Sequence, residues 1–218
     1  MLLRIRVRLP DRPGSLGKVA RTLGAAGADV VQMAVLERDG GRALDDFTVA
    51  WPAGAGIERL CDGLAFIPGV EIEGVWPTVE PQGAFPDAAL VGQLAANPDE
   101  ALVILADAIP GILSGDWAGL LKVTPAQTAF VHTSLGVVAD LKLPDIGPLR
   151  PRAFLGEDGT QYALAPIGDT NLAMLVARTA APQFHRTEVF RLAQLVGAAE
   201  AVLGDRLAQM AAAVDLVV

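Results

Sequence analysis

A chain of 218 residues holds one domain or two small ones, and with 52% hydrophobic but only 5% aromatic residues it has the material for an aliphatic core. Its formal charge of −8 denies it the basic surface that non-specific binding to nucleic acid or anionic membrane requires, so neither is expected as a partner. A single cysteine, Cys61, excludes an intramolecular disulfide framework, and the chain shows neither a signal-peptide core nor an uninterrupted apolar run of membrane-spanning length, so a cytoplasmic protein is expected.

Residues 2–9, LLRIRVRL, alternate strictly, with Leu3, Ile5, Val7 and Leu9 on one face and Arg4, Arg6 and Arg8 on the other. That is the pattern of a half-buried strand. From Ser15 the period changes to that of a helix, carried by Leu16, Val19, Ala20 and Leu23 and stopped at Gly27. ADVVQMAVLE (28–37) predicts a second strand, joined through Asp39-Gly40-Gly41 to a third over Ala43 to Trp51. Ile57, Leu60, Cys61 and Leu64 mark a second helix, and VEIEGVW (70–76) a fourth strand. Strand, helix, strand, strand, helix, strand is the order of a ferredoxin-like split βαβ unit.

PTVEPQGAFPD breaks the periodicity with prolines and a glycine and is expected to link two domains. The expected division is 1–77 for the first domain, 78–87 for the linker and 88–218 for the second domain. In the second half, helices are predicted over Ala88 to Ala96 and Pro98 to Ile109, and short strands over Trp117 to Val123 and Thr128 to Thr133. Residues 135–152, rich in proline and glycine, fit no pattern. RAFLGEDGTQYALAPIGDTNLAMLVAR predicts three strands with tight turns at Glu157-Asp158-Gly159 and Gly168-Asp169. A long amphipathic helix through Val189, Leu192, Val196, Ala199 and Leu203 should run on towards Val214. The fold class expected is α+β.

The stretch IRVRLPDRPGSLGKVARTLGAAGADVVQM resembles the start of an ACT domain. Members of that family commonly carry a D-R-P-G-x-L corner between the first strand and first helix, matched here by Asp11, Arg12, Pro13, Gly14 and Leu16. The resemblance spans roughly residues 2–77 and implies a regulatory module that binds an amino acid and often dimerises. YALAPIGDTNLAMLVARTAAPQFHRTEVFRLAQLVGAAEAVL is similar, more diffusely, to a GAF-like sensor domain, with the proline-rich 135–152 segment departing from that pattern.

Chemistry supports a ligand at the corner independently of the resemblance. Gly14 lacks a Cβ, so a ligand can approach its backbone closely. Ser15 is placed to cap the helix, whose first N–H groups attract a carboxylate. Asp11 can accept hydrogen bonds from an ammonium group. The candidate ligand residues are therefore Asp11, Arg12, Pro13, Gly14, Ser15, Leu16 and Gln32. The same residues also make an ordinary helix start.

The arginine stripe is expected to pair with Asp46, Glu71 and Glu73 across the strands rather than with a partner molecule. Val30, Gln32, Ala34 and Leu36 should share the outer face of the second strand, an apolar edge that fits either a homodimer interface or burial under the second domain. His132, His185 and Cys61 form no nucleophile–base pair and no metal-ligand spacing, so neither catalysis nor a cofactor nor a metal is expected. The function expected is a regulator that senses a small metabolite, most plausibly an amino acid. The alternatives are an enzyme working through the second domain, or a dimerisation scaffold without ligand.

Overall fold

The computed structural model describes residues 1–78, 85–134 and 143–214. The chain divides into two compact units, Met1–Glu80 and Pro81–Val218. Most of the expected linker, 79–84, lies outside the described residues. At its ends, Thr78 donates its N–H to the Leu2 carbonyl at 3.1 Å, and Pro86 and Asp87 already belong to a helix.

The N-terminal unit runs β1 (Leu2–Pro10), α1 (Ser15–Ala25), β2 (Asp29–Asp39), β3 (Arg42–Ala50), α2 (Glu58–Ala65) and β4 (Glu71–Pro77). Its antiparallel sheet has the order β2-β3-β1-β4, with the first strand between the third and fourth as expected. Leu3, Ile5, Val7 and Leu9 meet Val19 and Leu23 of α1 and Leu60 and Leu64 of α2 in one apolar core. Each such side chain contributes about 1.5–3 kcal/mol when fully buried. Gly40 and Gly41 both have positive φ, 55° and 75°, the backbone that a two-residue hairpin turn between right-twisted strands demands.

Two local expectations are corrected. The buried stripe of α1 is Ser15, Val19 and Leu23, while Leu16 and Ala20 are exposed. The helix is rotated so that its small first residue, not Leu16, fits beneath it. In β2, the register slips between Val30 and Gln32 and again between Val35 and Glu37. Each extra residue, Val31 and then Leu36, shifts the side chains that follow to the other face. The shared outer face of Val30, Gln32, Ala34 and Leu36 therefore does not form. Val30, Met33, Val35 and Arg38 oppose Val49, Phe47, Asp45 and Ala43 on the helix side, while Gln32, Ala34 and Glu37 oppose Thr48, Asp46 and Leu44 on the other.

Arg6 and Arg8 of the arginine stripe pair across the strands, and Arg4 Nε stands 4.0 Å from Asp46. Arg6 donates Nε and Nη2 to the two Asp46 oxygens at 2.7 and 2.8 Å, and Arg8 pairs with Glu73 at 2.7 Å. Arg42 reaches Glu71 at 3.0 Å.

The C-terminal unit begins with α3 (Pro86–Ala96), a 3-10 turn at Pro98–Glu100, and α4 (Ala101–Leu113). The helix runs past Pro110, predicted to end it; a proline removes one helical donor but does not force a stop so close to the C-terminus. β5 (Trp117–Val123), β6 (Thr128–Thr133), β7 (Arg152–Leu155), β8 (Gln161–Pro166) and β9 (Leu172–Arg178) then form an antiparallel sheet of order β6-β5-β9-β8-β7. Of the unassigned segment 135–152, residues 135–142 lie outside the described residues, and Arg152 starts β7. α5 (Arg186–Leu203) and α6 (Arg206–Val214) close the unit. The single long helix expected here is broken at Gly204, whose φ of 51° no helical residue adopts.

Both faces of this second sheet are apolar. Leu120, Met174 and Val176 pack with Leu102, Leu105, Leu192 and Val196 of the helices. Trp117, Leu121, Tyr162 and Leu175 line the opposite face with Ile146. The whole chain is thus α+β, with two antiparallel sheets and a long helix near the C-terminus.

Candidate functional site

Between β1 and α1 the chain turns in four residues, Asp11 to Gly14. Asp11 donates its N–H to the Gly41 carbonyl at 2.8 Å, anchoring the corner to the β2–β3 turn, and Ser15 donates its N–H to the Arg12 carbonyl at 3.2 Å. Gly14 occupies the N-cap in the left-handed conformation, φ 86°, and no side chain caps the helix. The expected capping role of Ser15 is corrected here: Ser15 is already the first helical residue and is buried. In an α-helix the first four N–H groups have no intrahelical acceptor. Nothing lies within 4 Å of where a Gly14 Cβ would stand. The space beside the Gly14 Cα is therefore open, and the N–H groups of the first turn of α1 carry partial positive charge.

The predicted residues separate in space. Asp11, Arg12, Pro13, Gly14 and Leu16 are all exposed around this turn, with Leu16 38% exposed. Gln32 lies on the sheet face turned away from the helices, so within one chain it does not join them. Asp11 is not a free acceptor. Arg38 donates Nε to its Oδ2 at 2.9 Å and Nη2 to its Oδ1 at 3.0 Å, a two-pronged pair that pushes the arginine pKa further up.

Asp45 was missed as a candidate. It faces Val7 on β1 and Val35 on β2, on the same side of the sheet as α1, and is 2% exposed. Its Oδ1 is buried with no hydrogen-bond partner. Burial, with the charges of Asp11 and Asp46 adding to it, pushes its pKa up to about 6 against the opposing pull of Arg38. Its position was available in the sequence, because in RALDDFTVA it has the same parity as Ala43, Phe47 and Val49.

The remaining candidates have structural roles. His185 is the N-cap of α5, its ring accepting the Thr187 N–H, with Glu188 completing a capping box. His132 pairs through Nε2 with Asp107 at 2.8 Å, and the nearby Ser134 hydroxyl accepts the Ala118 N–H. Cys61 is half-buried, and burial pushes its thiol pKa up, away from a reactive thiolate. A separate cavity of about 430 Å³ opens on the second sheet beside the stacked rings of Phe154 and Tyr162, with Asp145, Glu157 and Asp158 in its wall. Among the described residues no group of three His, Cys, Asp or Glu is placed to hold a metal ion, and no helix is long and apolar enough to cross a membrane.

A four-stranded antiparallel sheet in this order, with two helices packed against it, is the ferredoxin-like build. Residues 3–50, from β1 through β3, match the family model described as ACT domain, so the N-terminal part of the chain carries an ACT domain. ACT domains are regulatory units that bind small ligands. No curated protein matches the chain. Among solved structures it is similar to a chain titled as a novel type of quorum-quenching acylase, GqqA, at 24% identity, covering 36% of this chain and 42% of that one with a TM-score of 0.29. A formyltetrahydrofolate deformylase from Pseudomonas putida matches at 18% identity over 47% of this chain and 39% of that one, TM-score 0.32. An unknown protein from Galdieria sulphuraria matches at 12% identity over 93% of both chains, TM-score 0.32. The chain thus spans about two fifths of the length of the first two.

Proposed function

We propose that this protein is a non-catalytic regulator that senses an amino acid at the β1–α1 corner of its ACT domain. The observation that carries the reading is the uncapped α1 N-terminus opened by left-handed Gly14, a seat for the carboxylate of the ligand. Two carboxylates, Asp11 in the turn and Asp45 on the helix side of the sheet, supply the complementary charge. The C-terminal unit is read as a GAF-like sensor half. A sheet with helices packed on one face and a cavity on the other supports that assignment.

A ligand that binds only the folded state raises apparent stability by RT ln(1 + [L]/Kd), about 2.7 kcal/mol at a hundredfold excess over Kd. A thermal-shift screen of the full chain against the twenty protein amino acids should therefore give a rise of several degrees for one or a few chemically related members. A flat profile across all twenty sinks the reading.

The homodimer expected from the sequence is kept, on different residues. Val30, Met33 and Val35 are 38%, 39% and 49% exposed on the helix side of edge strand β2, an apolar row that water does not favour. Val35→Asp should convert a wild-type dimer to monomer in light scattering at micromolar concentration. A wild-type monomer removes the dimer from the account.

A further inference from the structure

We propose that the cationic end of the amino acid is received by Asp45, in the place that the Arg38 guanidinium occupies beside Asp11 in the free protein. This rests on the amino-acid reading of the corner and assigns the residue that recognises the ammonium group.

The argument begins with an imbalance of charge on the helix side of the β2–β3–β1 strands. Asp11, Asp45 and Arg38 act on one another there, and Asp46 adds a third negative charge from the opposite face. Asp46 is already neutralised by the two-pronged bond from Arg6. Arg38 is the cation left for the other two, and both of its hydrogen bonds go to Asp11. Asp45 is left buried, with an oxygen that has no donor.

A buried carboxylate oxygen with no donor is costly, and proteins ordinarily pair such a group or replace it. Val7, Val35, Ala43 and Phe47 surround it along and across the strands, positions where an apolar residue would complete the core. An acceptor kept in such a place is matched to a donor that arrives from outside. The pair above it is suited to yield. The Arg38 side chain is 67% exposed, and solvent screening leaves ion pairs of that kind weak. An ammonium group is more compact than a guanidinium and carries three donors, enough to serve Asp11 and Asp45 together. The ligand carboxylate then lies towards the first-turn amides of α1, which begins four residues after Asp11.

Because burial holds Asp45 partly protonated near pH 6, arrival of a cation there expels a proton. The groups that set this titration are Asp11, Asp46 and Arg38.

The test is calorimetric titration of the full-length protein with whichever of the twenty amino acids gives the largest thermal shift. Asp45→Asn should weaken binding at least tenfold. Arg38→Gln should tighten it severalfold, since it removes the internal competitor. For the wild type at pH 6, the measured heat should differ between phosphate and imidazole buffers by the difference in their ionisation heats times the protons released, and in Asp45→Asn that difference should vanish. Circular dichroism verifies that both variants fold. Binding by Asp45→Asn equal to wild type, or a loss on Arg38→Gln as large as that on Asp45→Asn, overturns the assignment. If in the same series Gly14→Val abolishes binding, the corner still holds the ligand and only the role of Asp45 falls. A wild type that binds none of the twenty overturns both.

Discussion

Replacing Arg178 with alanine should destabilise the C-terminal unit by about 3–5 kcal/mol, the usual consequence of removing one member of a buried ion pair. Arg178 ends β9 and is 0% exposed. Nη1 and Nη2 reach the two Glu188 oxygens at 2.8 and 3.2 Å, Nε reaches the Pro182 carbonyl at 2.9 Å, and Nη2 also reaches Gln183 at 3.0 Å. The guanidinium lies 3.9 Å over the Phe184 ring. One side chain therefore ties the last strand to the loop and to the first turn of α5. Glu188, itself buried, also accepts the His185 N–H at 2.7 Å, so the α5 cap depends on the same carboxylate. The alanine variant leaves that carboxylate buried against a void. Urea denaturation followed by circular dichroism measures the loss. Arg178→Met combined with Glu188→Gln should recover much of it, because no uncompensated charge remains and the cap acceptor is kept. A single variant within 1 kcal/mol of wild type contradicts the role assigned to this pair.

Asp45→Asn should have the opposite sign. The folded-state pKa of about 6 lies above the ordinary carboxylate value, so the folded protein holds a proton that the unfolded chain has lost. Stability linked to this group is complete below the unfolded pKa and is lost as pH rises through about 6. At neutral pH the ionised carboxylate costs up to about 3 kcal/mol, which asparagine does not. The variant should therefore be more stable than wild type at pH 7–8, with the gain fading to nothing below about pH 4. Urea midpoints across that range decide it. Equal stability at pH 7.5, or a gain independent of pH, shows that Asp45 is not strained.

Much of the fold is legible in the sequence because period and turn chemistry carry it. The alternation of LLRIRVRL gives β1 and both of its faces, and the Gly40-Gly41 turn gives the hairpin. Trp117–Val123 and Thr128–Thr133 are strands with the bounds expected. What escaped is the register of β2. A bulge inserts a residue without requiring a special residue type, and Val31 and Leu36 look like any other strand residues. The second slip puts Arg38 on the helix side, out of phase with Gln32 and Ala34, so its partnership with Asp11 is not evident from alternation. The break at Gly204 was readable from Leu203-Gly204-Asp205, but the apolar spacing on either side masked it. At the site, Gly14 was legible as the opening of the turn. Asp45 was passed over because an acid beside Asp46 reads as surface, although strict alternation points it inward.

The claim that the β1–α1 corner binds an amino acid is tested most directly by calorimetric titration of Gly14→Val beside the wild type. At φ 86° a β-branched residue is strained, and its side chain would fill the open space beside the Gly14 Cα. The account predicts micromolar to millimolar binding of one amino acid at one site per chain by wild type, and none by Gly14→Val in protein that circular dichroism shows to be folded. Undiminished binding by Gly14→Val would contradict it, moving the ligand away from this corner.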